Sequence, residues 1–184
     1  MPQLVALSLS IAVLGAIWAY LALGPLSSFA LVWAGFIAWG CFFHTGGDQK
    51  ALIKTICGNI WGVLVAWIAL LIIFKAGIAG MGLVAIAIVV GVTVFFLVIV
   101  AKVDQLSAVP ANVYGYAATV AYSLHQASVP GATPDVMGTG PLENLASINL
   151  ENPLVKLILS MVVGAVFGYV SGLVAGKITS PKTA

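Results

Sequence analysis

Long apolar segments separated by short polar breaks leave this chain few ways to fold. About 20 apolar residues cross a bilayer as a helix, and the chain contains six segments of about that length. Because 62% of its residues are hydrophobic and 7% are charged, it lacks the polar side chains that a globular surface needs. We therefore predict an all-α polytopic membrane protein with one transmembrane domain over residues 1–184. The predicted spans are Leu4 to Ala22, Ser28 to His44, Leu52 to Phe74, Ile78 to Ala101, Leu106 to His125 and Pro153 to Ala175.

The first three spans are similar in sequence to the last three. Residues 32–39 align with residues 109–116 at an offset of 77, and Lys54 aligns with Lys156 at an offset of 102. At the second offset Gly62 aligns with Gly164, and the difference between the offsets corresponds to a polar insertion at about residues 126–152. Three spans per copy turn the second copy upside down in the membrane, as in many transporters. The sequence thus predicts a 3+3 inverted repeat, with copies at about residues 4–74 and 78–175.

The lysines indicate an orientation. With the N-terminus in the cytoplasm, five basic residues lie inside and only Lys75 and Lys156 outside, in agreement with the positive-inside rule. Both termini are then cytoplasmic, and the insertion is external, either as an ordinary loop or as a lid or subunit contact. No basic residue precedes the first span, which favours a retained helix over a cleaved signal peptide. The five inside lysines are Lys50, Lys54, Lys102, Lys177 and Lys182.

The second and fifth spans are shorter and more polar than the others. Hydrogen-bonding groups inside a membrane are costly unless they meet each other, water or a solute, so these spans are the predicted lining of a solute pathway. Pro110 also fits an ordinary helix start, and Asn59, in the third span, fits helix contact as well as solute contact. The solute-pathway candidates are Trp33, Trp39, Asn59, Pro110, Asn112 and Tyr116.

Two histidines and a set of glycines form the remaining candidates. His44 and His125 each end a span, where histidine is commonly interfacial, and a pKa near neutrality makes them the candidates for a pH gate. Glycine lets membrane helices approach closely. The predicted helix-packing glycines are Gly58, Gly62, Gly164, Gly168 and Gly172, and the last three have the spacing of a helix or subunit interface.

Several classes of function lack support in the sequence. There is no glycine-rich phosphate loop, no Ser/His/Asp arrangement and no carboxylate cluster, so we expect no enzyme activity and no catalytic residues. Cys41 and Cys57 have no metal-binding spacing, and we expect neither a metal nor a cofactor. A net charge of +2 with scattered lysines argues against nucleic-acid binding.

The absence of acidic residues deep in any span favours a passive pathway, because ion-coupled transporters usually need an intramembrane ionisable group. The leading hypothesis is a channel or facilitator for a small uncharged polar solute of the urea-like, ammonia or polyol class. The alternatives are a secondary transporter with alternating access and a membrane scaffold or accessory subunit. Besides the bilayer and the solute, we expect further copies of the chain as partners, with a trimer favoured by analogy.

One segment also resembles a known family. Residues 39–43 (Trp-Gly-Cys-Phe-Phe), a Gly-Gly pair at 46–47 and then Lys54, Asn59 and Trp67 resemble a family catalogued as a domain of unknown function, number 1097. The resemblance extends over most of the chain, although the long polar loop departs from shorter members. It implies a small polytopic protein of the bacterial inner membrane, and it assigns no catalytic or binding residue.

Overall fold

A computed structural model describes residues 1–124 and 142–179. Within these residues the chain forms six α-helices and no β-strand, with short π or 3₁₀ turns between α3 and α4, between α4 and α5 and before α6. Four helical segments are long and apolar enough to cross a membrane: Gln3–Leu23, Gln49–Lys75, Leu83–Lys102 and Pro153–Ile178. The helices are α1 (Gln3–Leu23), α2 (Val32–His44), α3 (Gln49–Leu70), α4 (Leu83–Ile99), α5 (Val109–Leu124) and α6 (Pro153–Ile178).

Local sequence determines where the long helices begin. Gly46 and Gly47 have φ values of 129° and 71°, a region that glycine enters without steric cost, and they reverse the chain after α2. Asp48 then caps α3 by accepting a 2.7 Å hydrogen bond from the Ala51 amide. Asn152 caps α6 through the Leu154 amide, with Pro153 in the first turn. Side-chain caps of this kind satisfy backbone amides that have no partner within the helix.

The second and fifth helices begin later than the predicted spans. Helix α2 has 13 residues and measures about 20 Å, less than the roughly 30 Å of hydrocarbon in a bilayer. Helix α5 has 16 residues up to Leu124, where the described part of the chain stops. The predicted start at Ser28 is four residues early, because residues 24–29 form turns and Leu31 is extended. The predicted start at Leu106 is three residues early, because that residue ends a separate 3₁₀ turn. Each short helix therefore follows a non-helical segment.

Four of the six helices form two tight pairs, α2 with α6 and α3 with α5. Along the first pair, the Leu31 amide donates to Ser160 Oγ at 2.9 Å, and Trp39 Nε1 donates to Ser171 Oγ at 3.1 Å. The two helices consequently run in the same direction, and α2 begins seven residues, or about 10 Å, along α6. The N-terminal end of this short helix thus lies inside the bundle.

The outer helices lie against these pairs. α1 packs on α6 and α4 packs on α3. α4 buries only Thr93 and Leu97, and most of its remaining side chains are apolar and exposed. Such a helix presents the surface expected of one that faces lipid.

Candidate functional site

Glycines form the closest crossing in each tight helix pair. A Cβ atom on Gly62 of α3 would overlap the carbonyl oxygen of Asn112 on α5, and a Cβ on Gly164 of α6 would overlap that of Gly35 on α2. Gly62 and Gly164 are equivalent at the offset of 102, and Gly35 and Asn112 are equivalent at the offset of 77. Two contacts in different parts of the chain therefore join residues that the sequence alignment makes equivalent.

The other predicted packing glycines differ in their surroundings. A Cβ on Gly58 would lie 2.6 Å from Ala111 Cβ, and one on Gly168 would lie 3.0 Å from the Phe42 ring. A Cβ on Gly172 would meet no heavy atom within 4 Å, so this glycine makes no close helix contact among the described residues. The subunit interface suggested for Gly172 stays a prediction.

Two of the pathway candidates, Trp39 and Tyr116, face other helices. The indole of Trp39 is 3% exposed and bonds to Ser171 of α6. The hydroxyl of Tyr116 lies 3.1 Å from Thr93 Oγ1. Thr93 Oγ1 also lies 2.9 Å from the Val89 carbonyl oxygen, so donation from Tyr116 to Thr93 leaves the Thr93 proton for that carbonyl. Each ring thus fixes one of the short helices to a neighbour.

Trp33 lines an open groove between α2 and α5. The groove has a volume of about 650 Å³, and small side chains form much of its wall. Tyr114 lines it as well, and the Tyr114 hydroxyl lies 3.1 Å from Nδ1 of the exposed His44. We call this feature the α2–α5 groove; it is lined by Trp33, Phe36, Ile37, Gly40, Cys41, Tyr114, Ala117, Ala118 and Ala121.

The side-chain amide of Asn112 connects α5 to α4 and to the 3₁₀ turn that precedes α5, through its Nδ2 atom. Its Nδ2 donates to the Leu97 carbonyl at 3.3 Å and to the Leu106 carbonyl at 3.1 Å. These bonds hold the first turn of α5 against the end of α4 and against the segment that precedes α5. The other half of the amide, Oδ1, is buried and has no partner. It lies against the backbone of Gly58, where an added Cβ would be 2.7 Å away.

Asn59 is buried without any side-chain hydrogen bond. It is 1% exposed, and neither its Nδ2 nor its Oδ1 has a partner. One helical turn earlier on α3, the hydroxyl of Thr55 is also buried and unpartnered. Removing one such group from water without a partner costs about 1–3 kcal/mol. This part of the α3–α5 contact consequently carries a concentration of unused hydrogen-bonding capacity.

The predicted pathway residues thus lie in three places instead of one. Trp33 lines the α2–α5 groove, Asn59 and Asn112 lie at the α3–α5 contact, and Trp39 and Tyr116 bond to α6 and α4. Pro110 is the second residue of α5, in its first turn. His125 lies outside the described residues.

Two ion pairs lie near helix ends. Lys54 Nζ is 2.9 Å from Asp104 Oδ1, and this hydrogen bond and the attraction between the charges lower the pKa of Asp104 below its ordinary value of 3.8. Lys156 Nζ is 3.2 Å from Glu151 Oε2, with the lysine nearly buried. The described helices otherwise carry their charged side chains in their first or last two turns.

Some of the polar residues in these contacts were not candidates in the sequence prediction. Thr55 precedes Asn59 by one helical turn, and Gly58 and Gly62 continue the same buried face. A spacing of three and four residues places side chains on one side of a helix. That spacing could have identified Thr55, whereas nothing in the sequence indicates that Thr93 pairs with Tyr116.

The apolar helices and their neutral interior contacts are those of a helical membrane protein. Among residues 1–124 and 142–179, no three His, Cys, Asp or Glu side chains come close enough to hold a metal ion. The family described as Protein of unknown function (DUF1097) matches residues 8–176, and the chain belongs to this family. No curated protein and no solved structure matches the chain.

Proposed function

We propose that this protein is a passive channel or facilitator for a small uncharged polar solute. The observation that carries the proposal is the pair of short helices, α2 and α5, which border the α2–α5 groove and begin after non-helical segments. In transporters, unusually short hydrophobic segments at corresponding positions of two repeats indicate the substrate pathway. Here the two helices begin at Val32 and Val109, which are 77 residues apart.

The proposed architecture is a 3+3 inverted repeat. Its support is the relation between the Gly62–Asn112 and Gly164–Gly35 contacts, which join equivalent residues under the two sequence offsets. Chance similarity between apolar segments would not require equivalent residues to meet in space. The positive-inside rule supports the orientation with both termini in the cytoplasm of a bacterial inner membrane.

An uncharged solute fits the side chains at membrane depth. The groove and the α3–α5 contact carry indole, phenol, amide and hydroxyl groups, while the charged groups of the described helices lie near their ends. A neutral lining cannot repay the cost of removing an ion from water. Selectivity would then come from width and a few hydrogen bonds.

The groove is open on the outside of a single chain, which supports a homo-oligomer in which another copy covers it. A channel that is lined on one side by lipid would lose the hydrogen bonds that a polar solute needs. No contact within the chain determines the number of copies, and the trimer is proposed by analogy alone.

Stopped-flow swelling or shrinkage of proteoliposomes with urea, glycerol and ammonia tests the proposal. We expect flux of at least one of these solutes above that of empty liposomes. Replacing Gly40 by Trp should block it, because Gly40 lines the groove and a Cβ there meets nothing within 4 Å. Gly91→Trp on exposed α4, where a Cβ also meets nothing, is the matched control.

The same measurement separates a channel from the alternatives. Absence of flux for every solute would refute the proposal. Saturation with counterflow would instead identify a carrier with alternating access. Equal flux in the Gly40→Trp and Gly91→Trp variants would leave a transport protein but place its pathway outside the groove.

A further inference from the structure

We infer that Thr55, Asn59 and Oδ1 of Asn112 form a buried site for one small neutral molecule that both donates and accepts hydrogen bonds. We call it the Asn59 site. The inference rests on the proposed function where the bound molecule is the transported solute, and on the contacts alone where it is water.

The first argument is the number of unused polar atoms. The Thr55 hydroxyl, both ends of the Asn59 amide and Oδ1 of Asn112 are buried and have no hydrogen-bond partner. All three residues are at most 1% exposed. Buried polar groups in folded proteins are paired with protein or ordered water in the large majority of cases. Four unpaired polar atoms on three neighbouring residues therefore indicate that a small molecule pairs with them.

The second argument comes from the conformation of Thr55. A threonine or serine inside a helix commonly donates to the carbonyl four residues earlier. Thr93, Thr119 and Ser160 do so here, at 2.7–2.9 Å. Thr55 makes no such bond, which leaves its hydroxyl available to a ligand.

The backbones around the site explain why the protein does not supply the missing partner. Gly62 and Gly115 bring α3 and α5 into backbone contact, where a Cβ on Gly115 would overlap the carbonyl of Asn59. Gly58 brings the α3 backbone against the Asn112 side chain. No long polar side chain can enter between helices that are this close, so only a molecule of a few atoms could be the partner.

The chemistry of the site selects a neutral ligand. Asn59 Nδ2 and the Thr55 hydroxyl are donors, while Asn59 Oδ1 and Asn112 Oδ1 are acceptors. No charged group is among them, so an ion would lack compensation for its lost hydration. Water, ammonia and urea-like amides share the required combination of donor and acceptor.

The site lies behind the α2–α5 groove. Cys41 lines the groove, and its thiol lies beside Thr55, outside hydrogen-bonding geometry, as well as 3.9 Å from Thr45 (Sγ to Oγ1). The Cys41 side chain therefore connects the groove to Thr55, at the edge of the site. This arrangement suits a binding position along a pathway that begins in the groove.

Nuclear magnetic resonance can detect water at the site directly. In ¹⁵N-labelled full-length protein in nanodiscs, the Asn59 side-chain amide should show a cross-relaxation signal with water, and added formamide should displace it. The Asn59→Leu variant assigns the signal. A slowly exchanging Asn59 amide with no contact to water or formamide would overturn the inference, whatever the protein transports.

Transport measurements distinguish a solute site from a water site. If the solute binds there, Thr55→Val and Asn59→Leu should lower its flux about tenfold, the effect of losing roughly one buried hydrogen bond. Thr119→Val is the matched control, because Thr119 is equally buried but bonds to the Gly115 carbonyl. Unchanged flux in all three variants would overturn the solute assignment; loss only with Thr119→Val would overturn it too.

The stability of the same variants gives a readout that a structural role would not produce. An asparagine that bonds to another helix leaves a buried group of the protein unpaired when it is replaced, whereas an asparagine that bonds only to a bound molecule does not. Asn59→Leu should therefore leave the melting temperature unchanged or raise it while it abolishes the water signal. If no wild-type flux is found, the proposed function fails, and the water signal and this melting temperature still decide the inference.

Discussion

At the scale of single residues, glycine determines how closely the helices of this protein approach. Gly62 and Gly164 each lie against a backbone carbonyl of the neighbouring helix. No adjustment of a side-chain rotamer can make room there, because the neighbouring atoms belong to the main chain. These two positions are therefore more sensitive than glycines that lie opposite flexible side chains.

Replacing Gly62 or Gly164 by Ala should destabilise the protein by about 1–3 kcal/mol, the usual cost of overpacking. Gly172→Ala is the control: a Cβ there meets nothing within 4 Å, and alanine has the higher helix propensity. Denaturation by sodium dodecyl sulfate in mixed micelles measures the three free energies of unfolding. Equal losses at Gly172 and Gly62 would contradict the packing argument.

Residue type predicts which positions carry interior polar groups better than it predicts which neighbour each side chain contacts. Trp39, Asn112 and Tyr116 bond to neighbouring elements, and Asn59 has no side-chain hydrogen bond. The sequence singled out these four residues because polar groups inside a membrane are costly without partners. It could not show which neighbour each side chain meets, because that depends on helix rotation and crossing. The Trp39 indole, for example, donates to Ser171 of α6 and is not among the residues that line the groove, and its role in a solute pathway stays a prediction.

At the scale of elements, the beginnings of the short helices distinguish this fold from a bundle of six equal spans. α2 starts only after an extended Leu31, whose amide is held by Ser160 in the interior of α6. The ends of α1 and α6 were predicted to within three residues because apolar length determines them. The start of α2 could not be predicted, because a contact with a helix 129 residues away determines it.

Ser160→Ala should remove this contact and destabilise the protein by about 1 kcal/mol, the typical cost of losing a side-chain cap. The expected local effect is faster hydrogen exchange at the Leu31 amide. Ser8→Ala on an exposed position of α1 is the control. Unchanged exchange at Leu31 would mean that Ser160 does not hold the start of α2.

The connection between α4 and α5 is fixed to α3 by the Lys54–Asp104 pair. Because the pair lowers the pKa of Asp104, its stabilisation is present above the unfolded pKa and is lost as pH falls through the lower folded value. Asp104→Asn should therefore reduce stability at neutral pH and have no effect at pH values where Asp104 is protonated. Unfolding curves of wild type and variant, from neutral pH down to pH values where Asp104 is protonated, measure the difference in free energy of unfolding. This difference should shrink as the pH falls. A difference that is independent of pH would contradict the role of the Lys54–Asp104 pair.

At the scale of the whole molecule, each tight helix pair joins one helix from the first half of the chain to one from the second half. The second helix of the first half, α2, packs on α6, and the third helix, α3, packs on α5. The strongest helix contacts therefore join the halves to each other instead of closing each half on itself. The inversion proposed for the repeat makes this arrangement possible, because the second and third helices of opposite halves then run in the same direction.

This arrangement predicts how the chain behaves when it is divided. A break near Gly77, which has a φ of 81° in the turn between the halves, separates fragments 1–76 and 77–184. Each fragment alone should be degraded or aggregate, since its glycine surfaces lack their partners, and co-expressed fragments should purify together as a protease-resistant complex.

A break within the turn after α1, giving fragments 1–26 and 27–184, keeps both tight pairs in one fragment. That larger fragment should resist proteolysis more than either half does. A protease-resistant fragment 1–76 on its own would show that the crossings between the halves are not what holds the fold together.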